Sequence, residues 1–182
     1  MTPHWTDELR AMGACPAAVK WARGYPSLQA AWDACERGDW MMWMIGHTPG
    51  LDLRRVGWLC YALASQSQYL VPPEERRPAD CLALVARWCH GDTTITEDDL
   101  RRAAEAVWAA RAAGAARAAE AAAGAVWAAE VAAGTARAAW AAGAAWVVGV
   151  VGATGAPWAE ANVRIIREHL PWVALPSERP AC

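Results

Sequence analysis

The residues best suited to chemistry lie in one string, residues 31–43, which combines three tryptophans, two methionines, Arg37 and several acids. Arg37, Asp39, Trp40 and Trp43 could line a recognition pocket or an interface, because indole faces stack on planar groups and a guanidinium binds carboxylate or phosphate through two parallel hydrogen bonds. The structural alternative is a helix–glycine–helix corner, in which Asp39 caps the second helix, Arg37 pairs with a nearby acid, and the tryptophans fill the core. Both interpretations stay open from the sequence.

Two further charged groups are candidates for binding. Arg76 and Arg77 form a basic doublet with acids on both sides, a pattern typical of a surface ion-pair cluster whose pairs contribute little individually. Asp98 and Asp99 belong to an acidic run that follows Thr96, which is typical of a helix start. The alternative for these two aspartates is the capture of a basic surface on a partner.

Recognisable catalytic and metal-binding patterns are missing from the sequence. The four histidines have no paired ligand spacing, and the six cysteines stand singly with no CxxC pair. There is no GxSxG, no P-loop and no GxGxxG. We therefore predict a protein that is not an enzyme, has no catalytic residues, and uses neither a metal nor a cofactor. We expect reduced thiols and a cytoplasmic location, since Asp7 and Glu8 stand where a signal peptide would be apolar.

Composition limits the classes of partner. The 182 residues fit one domain, and a net charge of −2 implies no strong field for nucleic acid or a membrane surface, so no direct nucleic-acid binding is expected. The chain has 13 tryptophans but no phenylalanine, and Lys20 is its only lysine. A GC-rich genome explains this bias. A recognition surface rich in tryptophan and arginine explains it too, because these residues dominate interface hot spots.

The segment 103–146 is more than half alanine, interrupted by glycines at intervals of 9 or 10 residues. Alanine is the best helix former, so we predict two or three tightly packed helices that turn at one or two of the glycines, with a single long rod as the alternative. Residues 138–159 carry no charge, but their Ala and Gly content favours a buried central helix over a membrane span. The prediction is an all-α compact bundle with a single domain over 1–175 and a frayed tail over 176–182.

Local signals place the other helices. Helix starts are predicted at Pro16, at Ser27, near Thr96 and near Pro157. A further start is expected at Thr6-Asp7-Glu8, and longer helices are expected over Leu51–Leu70 and Arg76–His90. The apolar stripe of the first longer helix is predicted to comprise Leu53, Val56, Leu59, Cys60 and Leu63.

The front of the chain resembles a known family. The run from Gly13 to Trp21, then Pro26-Ser27 and the string 31–43, is similar to helical immunity proteins of bacterial polymorphic toxin systems, and to related proteins of actinobacterial phages. Glu74–Arg77 and the closing segment Glu160–Pro171 extend this resemblance over most of the chain. The resemblance implies an all-helical fold and a binding role, and it carries over no individual functional residues.

Together these observations predict a non-enzymatic binding protein that neutralises a protein partner, either a toxin or a host defence factor. An inhibitor needs only a complementary surface with a few anchor residues. The first alternative is a small-ligand binder that sequesters a nucleotide-type signal. The second is a structural or assembly protein that forms a homo-oligomer through its Ala and Gly faces.

Overall fold

The computed structural model describes residues 4–48, 50–66, 68–113 and 156–175. These residues form eight α-helices and one 3-10 helix and contain no strand, which confirms the predicted all-α fold. The helices are α1 (Trp5–Ala11), α2 (Pro16–Ala22), α3 (Leu28–Ala34), α4 (Gly38–His47), α5 (Leu53–Ser65), the 3-10 helix Gln68–Leu70, α6 (Arg77–Cys89), α7 (Glu97–Ala113) and α8 (Ala156–His169).

Short-range signals determine where the first three helices begin. Pro16 occupies the first turn of α2, and the Ser27 hydroxyl accepts a hydrogen bond from the backbone N–H of Ala30 at the start of α3, both as predicted. The predicted start of α1 at Thr6 is wrong. The imidazole of His4 caps that helix instead, and the Asp7 carboxylate accepts from the His4 backbone N–H.

The central helices pack along one amphipathic face each. α5 contacts α6 and α8, and α6 contacts α7. Four of the five predicted stripe residues of α5 are buried, whereas Leu53 is exposed because it lies at the first position of the helix. α5 ends at Ser65, earlier than predicted, and the 3-10 helix follows it after a short interval.

The last described helix closes the core. α8 contacts both α4 and α5, and its residues Ile166 and Asn162 are fully buried. The amide oxygen of Asn162 accepts a hydrogen bond from Gln66 Nε2 at 2.7 Å, which satisfies a polar group that would otherwise be costly to bury. The predicted start near Pro157 is confirmed.

Several predictions fall outside the described residues. These are the turns within the alanine-rich segment from residue 114 onward, most of the uncharged stretch 138–159, and the tail 176–182. Within the part of the chain that the structure describes, no helix combines the length and apolarity needed to cross a membrane.

Candidate functional site

The first four helices enclose a cavity of about 360 Å³. Five of the 13 tryptophans line it, together with small and aliphatic residues. The lining residues are Trp5, Leu9, Gly13, Ala14, Cys15, Ala18, Trp21, Ala22, Leu28, Ala31, Trp32, Cys35, Asp39, Trp40, Met41, Trp43 and Met44. A volume of this size lies within the range of small-molecule pockets and of pockets that receive an anchor side chain.

The cavity has a buried inner part and a partly exposed outer part. Trp32 and Met41 are buried and belong to the inner part, whereas Trp21, Trp40 and Trp43 are half-buried and reach the surface. Large aromatic surfaces are therefore presented both to solvent and to the interior. The buried indole N–H of Trp32 has no hydrogen-bond partner in the described part of the chain.

Three of the predicted site residues form one arrangement at the outer part of the cavity. The Arg37 guanidinium donates from Nε to Asp39 Oδ1 at 2.8 Å and from Nη2 to Oδ2 at 2.6 Å. Its central carbon also lies 4.6 Å from the centroid of the Trp40 ring, which is a cation–π contact. The prediction that Arg37 pairs with a nearby acid is confirmed.

The predicted capping role of Asp39 is wrong. α4 begins at Gly38, with Arg37 as its N-cap residue and no side-chain cap hydrogen bond. Asp39 lies in the first turn of the helix, where its negative charge interacts favourably with the helix dipole. Asp39 lines the cavity together with Trp40 and Trp43 from the same helix, and its carboxylate is bound by Arg37.

The outer tryptophans are held by contacts within and between the short helices. Trp5 Nε1 donates to the backbone oxygen of Tyr25 at 3.2 Å. The Trp21 ring lies 4.7 Å from that of Tyr25 and 5.6 Å from that of Trp40, measured between centroids. These contacts hold Trp5, Trp21 and Trp40 in place at three walls of the cavity.

Trp43 is held in a different way. Its ring stacks on that of His47 at 4.0 Å between centroids, and His47 Nδ1 lies 2.8 Å from the Trp43 backbone oxygen. This geometry requires a proton on Nδ1, because the carbonyl oxygen can only accept. His47 thus orients the Trp43 ring along α4.

One arginine of α8 holds the inner part of the cavity in place. Arg167 Nη2 donates to the backbone oxygen of Cys35 at 2.6 Å and lies 3.5 Å from that of Trp32. These carbonyls are at the C-terminal end of α3, where a positive charge is favourable. Arg167 is more than 130 residues away in sequence from Trp32 and Cys35. No short-range sequence signal therefore indicates that it binds the end of α3.

Two cysteine residues line the cavity, one exposed and one buried. Cys15 is exposed at the start of α2, and Cys35 is buried at the end of α3. Burial raises the pKa of the Cys35 thiol above its ordinary value, so the reactive thiolate is disfavoured there. None of the five described cysteines forms a disulfide bond, and Cys182 lies outside the described residues.

The other predicted binding residues lie outside the cavity lining and form local ion pairs. Arg77 binds Glu75 through two hydrogen bonds, and Arg76 lies 3.5 Å from Asp80. These pairs are exposed, as expected of a surface ion-pair cluster. The doublet therefore does not line the cavity, and Arg37 is not a lining residue either, although it contacts Asp39 and Trp40, which are.

The acidic start of α7 is a cap. The Asp99 carboxylate accepts from the backbone N–H and hydroxyl of Thr96, which together with Arg102 lowers the pKa of Asp99. Asp98 pairs with Arg101, and this pairing lowers the pKa of Asp98. The predicted helix start at Thr96 is confirmed, and neither aspartate belongs to the cavity lining.

The sequence predicted some of the tryptophans that line the cavity and missed others. It singled out Asp39, Trp40 and Trp43, but it did not place Trp5 or Trp21 beside them. The only available signal was the density of tryptophan in the first 43 residues, because the meeting of these rings depends on how three short helices pack.

Among the described residues, no group of three His, Cys, Asp or Glu side chains could hold a metal ion. The cavity offers stacking surfaces, one carboxylate and thiols, of which Cys35 is disfavoured as a nucleophile by burial. Comparison with known proteins finds no matching family model, no matching curated protein and no matching solved structure.

Proposed function

We propose that this protein is a non-enzymatic binding protein that neutralises a protein partner, either a toxin or a host defence factor. The observation that carries the proposal is the tryptophan-lined cavity at the corner of α1 to α4. Binding energy at protein interfaces concentrates in a few aromatic and arginine residues that surround desolvated pockets. Trp21, Trp40 and Trp43 are such aromatic residues, and all three line the cavity.

The resemblance to immunity proteins supports the same proposal from the sequence. An inhibitor of this kind acts by occupying a surface of its partner, so it requires preorganised anchors and no reacting groups. The walls of the cavity are fixed by aromatic contacts and by the hydrogen bond from Trp5 to Tyr25. In this proposal an apolar side chain of the partner enters the cavity, and the half-buried tryptophans surround it.

A growth assay tests the proposal. The protein is co-expressed with the product of each adjacent gene in turn, and we expect it to restore growth against one toxic product. Ala18→Trp places an indole into the cavity and should abolish the rescue, because Ala18 lines the cavity and is half-buried. Ala17→Trp is the matched control, since Ala17 is exposed on the same helix and does not line the cavity.

The outcomes separate clearly. Rescue that survives Ala18→Trp, in a variant whose circular dichroism spectrum is unchanged, would refute the cavity as the binding site. Failure to neutralise any adjacent gene product, together with failure to bind one in a purified pair, would refute the proposed function. Loss of rescue in both variants would show that the assay reports folding rather than cavity occupancy, and it would also count against the proposal.

A small ligand in the same cavity is a second candidate, favoured by the volume of about 360 Å³. A nucleotide-type ligand would bring phosphate charge, and the only charged lining residue in the described part is the carboxylate of Asp39. Arg37 could bind phosphate only by leaving Asp39. Native mass spectrometry of the purified protein tests this candidate, since a retained mass of nucleotide size would support it and a bare chain would oppose it.

A further inference from the structure

The described lining of the cavity contains one acidic residue, whose counterion is the adjacent Arg37. Within the described part of the chain, Asp39 is the charged residue of the lining, which contains no lysine, arginine or histidine. The remaining polar groups are two thiols and indole N–H groups. The faces of indole rings are negative in their quadrupole, so they also attract cations. The carboxylate and the tryptophan faces therefore select for the same kind of group.

The protein itself already places a cation at this position. The Arg37 guanidinium binds both oxygens of Asp39 and lies over the Trp40 ring at 4.6 Å. A planar cation can thus bind the Asp39 carboxylate and the Trp40 ring at the same time. A carboxylate has about four lone-pair positions, so two stay available to a second donor.

The internal cation is replaceable. The Arg37 side chain is 57% exposed and that of Asp39 is 28% exposed, so water screens their attraction. Exposed ion pairs typically contribute little to stability, so a second cation can compete with Arg37 for Asp39. Arg37 can turn out into solvent while another cation takes its place between Asp39 and Trp40.

We infer that the cavity receives a lysine or arginine side chain of the partner together with a neighbouring apolar side chain, with the positive charge bound between Asp39 and Trp40. This inference rests on the proposed function and names the chemistry of the partner surface. The apolar side chain fills the inner part beside Trp32 and Met41. The cationic end displaces Arg37 at the outer part.

Three matched peptides test the inference: acetyl-leucyl-arginine amide, its citrulline analogue and its glutamate analogue. Citrulline has nearly the shape of arginine but no charge, so the first pair isolates the effect of the charge. Binding is followed through the indole N–H resonances in ¹H–¹⁵N spectra of the 19.5 kDa protein, assigned by single Trp→Phe variants. We expect the arginine peptide to bind roughly 3- to 5-fold tighter than the citrulline peptide, and the glutamate peptide to bind most weakly.

Two substitutions should act in opposite directions. Asp39→Asn removes the carboxylate and should abolish the preference for arginine over citrulline. Arg37→Gln frees Asp39 and should raise the affinity for the arginine peptide by roughly 2- to 5-fold while leaving that for citrulline unchanged. Asp33→Asn is the matched control, because Asp33 is exposed, binds Gln29 and does not line the cavity.

Equal binding of the arginine and citrulline peptides, tighter binding of the glutamate peptide, or no binding of any of the three would overturn the inference. A drop in arginine-peptide affinity in Arg37→Gln would do the same, since it would make Arg37 part of the recognition surface. If the peptides give one of these results but Ala18→Trp still abolishes the rescue of growth, the inference is wrong and the proposed function is supported. A charge preference without any rescue would oppose the proposed function alone.

Discussion

Gly57 permits the close approach of α5 and α6, and its replacement by alanine is the most quantitative test of the packing. A Cβ atom at this position would lie 2.9 Å from Cys89 Sγ and 3.1 Å from Trp88 Cζ3. The first distance is shorter than any normal carbon–sulfur contact, so either the Cys89 side chain or one of the two helices must shift. Gly57 lies inside α5, where alanine would otherwise favour the helix by about 1 kcal/mol.

Two opposing terms determine the size of the effect. Overpacking a well-packed core typically costs about 1 to 3 kcal/mol, and the gain in helix propensity offsets part of it. We expect Gly57→Ala to lower the free energy of unfolding by about 1 kcal/mol. For a domain of this length that corresponds to a fall in Tm of roughly 2 to 4 °C. Urea denaturation and thermal melts followed by circular dichroism measure both quantities.

A second substitution isolates the contact. Cys89→Ala removes the sulfur atom, so Gly57→Ala in that background should cost less than in the native protein and can become stabilising. The coupling free energy between the two positions should be about 1 kcal/mol. Additive effects, or a Gly57→Ala variant that is more stable than the native protein, would refute the argued clash.

Three other perturbations have defined outcomes. Hydrogen bonds from Thr94 and Arg87 lower the pKa of Asp92 to about 2. The Asp92 carboxylate therefore stabilises the fold at a pH above the ordinary pKa of aspartate, and this stabilisation is lost as the pH falls toward 2. Thr94→Val should raise the pKa of Asp92 in a carboxyl NMR titration. Arg167→Gln should lower Tm and broaden the Trp32 indole resonance, whereas Arg164→Gln on the exposed face of α8 should do neither. Iodoacetamide should alkylate the exposed Cys15 fastest among the five described cysteines, as read by peptide mass mapping.

Features that depend on neighbours in sequence were predicted well. Ser27, Pro16 and Thr96 mark helix starts because a cap or a fixed backbone angle acts within three or four residues. The pairing of Arg37 with a nearby acid was predicted for the same reason, and the acid is Asp39, from which one residue separates it. The start of α1 was missed because histidine is an uncommon cap, and its ring acts here as the acceptor.

Features that depend on the packing of distant segments were not predicted. The cavity requires Trp5 and Trp21 to approach Trp40, and nothing in the local sequence specifies those contacts. The bond from Arg167 to the end of α3 joins residues more than 130 positions apart. The close contact at Gly57 was also missed, because a glycine inside a helix pattern indicates close packing without naming the partner.

The persistence of the cavity follows from the mixture of small and large residues around it. α1, α2 and α3 have seven residues each, too few to be stable alone, so tertiary contacts determine their positions. Wide indole rings keep the helices apart, and Ala14, Ala18 and Ala31 leave the space between them unfilled. The cavity opens to solvent where Trp21, Trp40 and Trp43 are half-buried, so it is not a closed and dry void. The cavity must therefore hold water or an occupant, and displacing that water from the tryptophan faces is the source of affinity on which the proposed function depends.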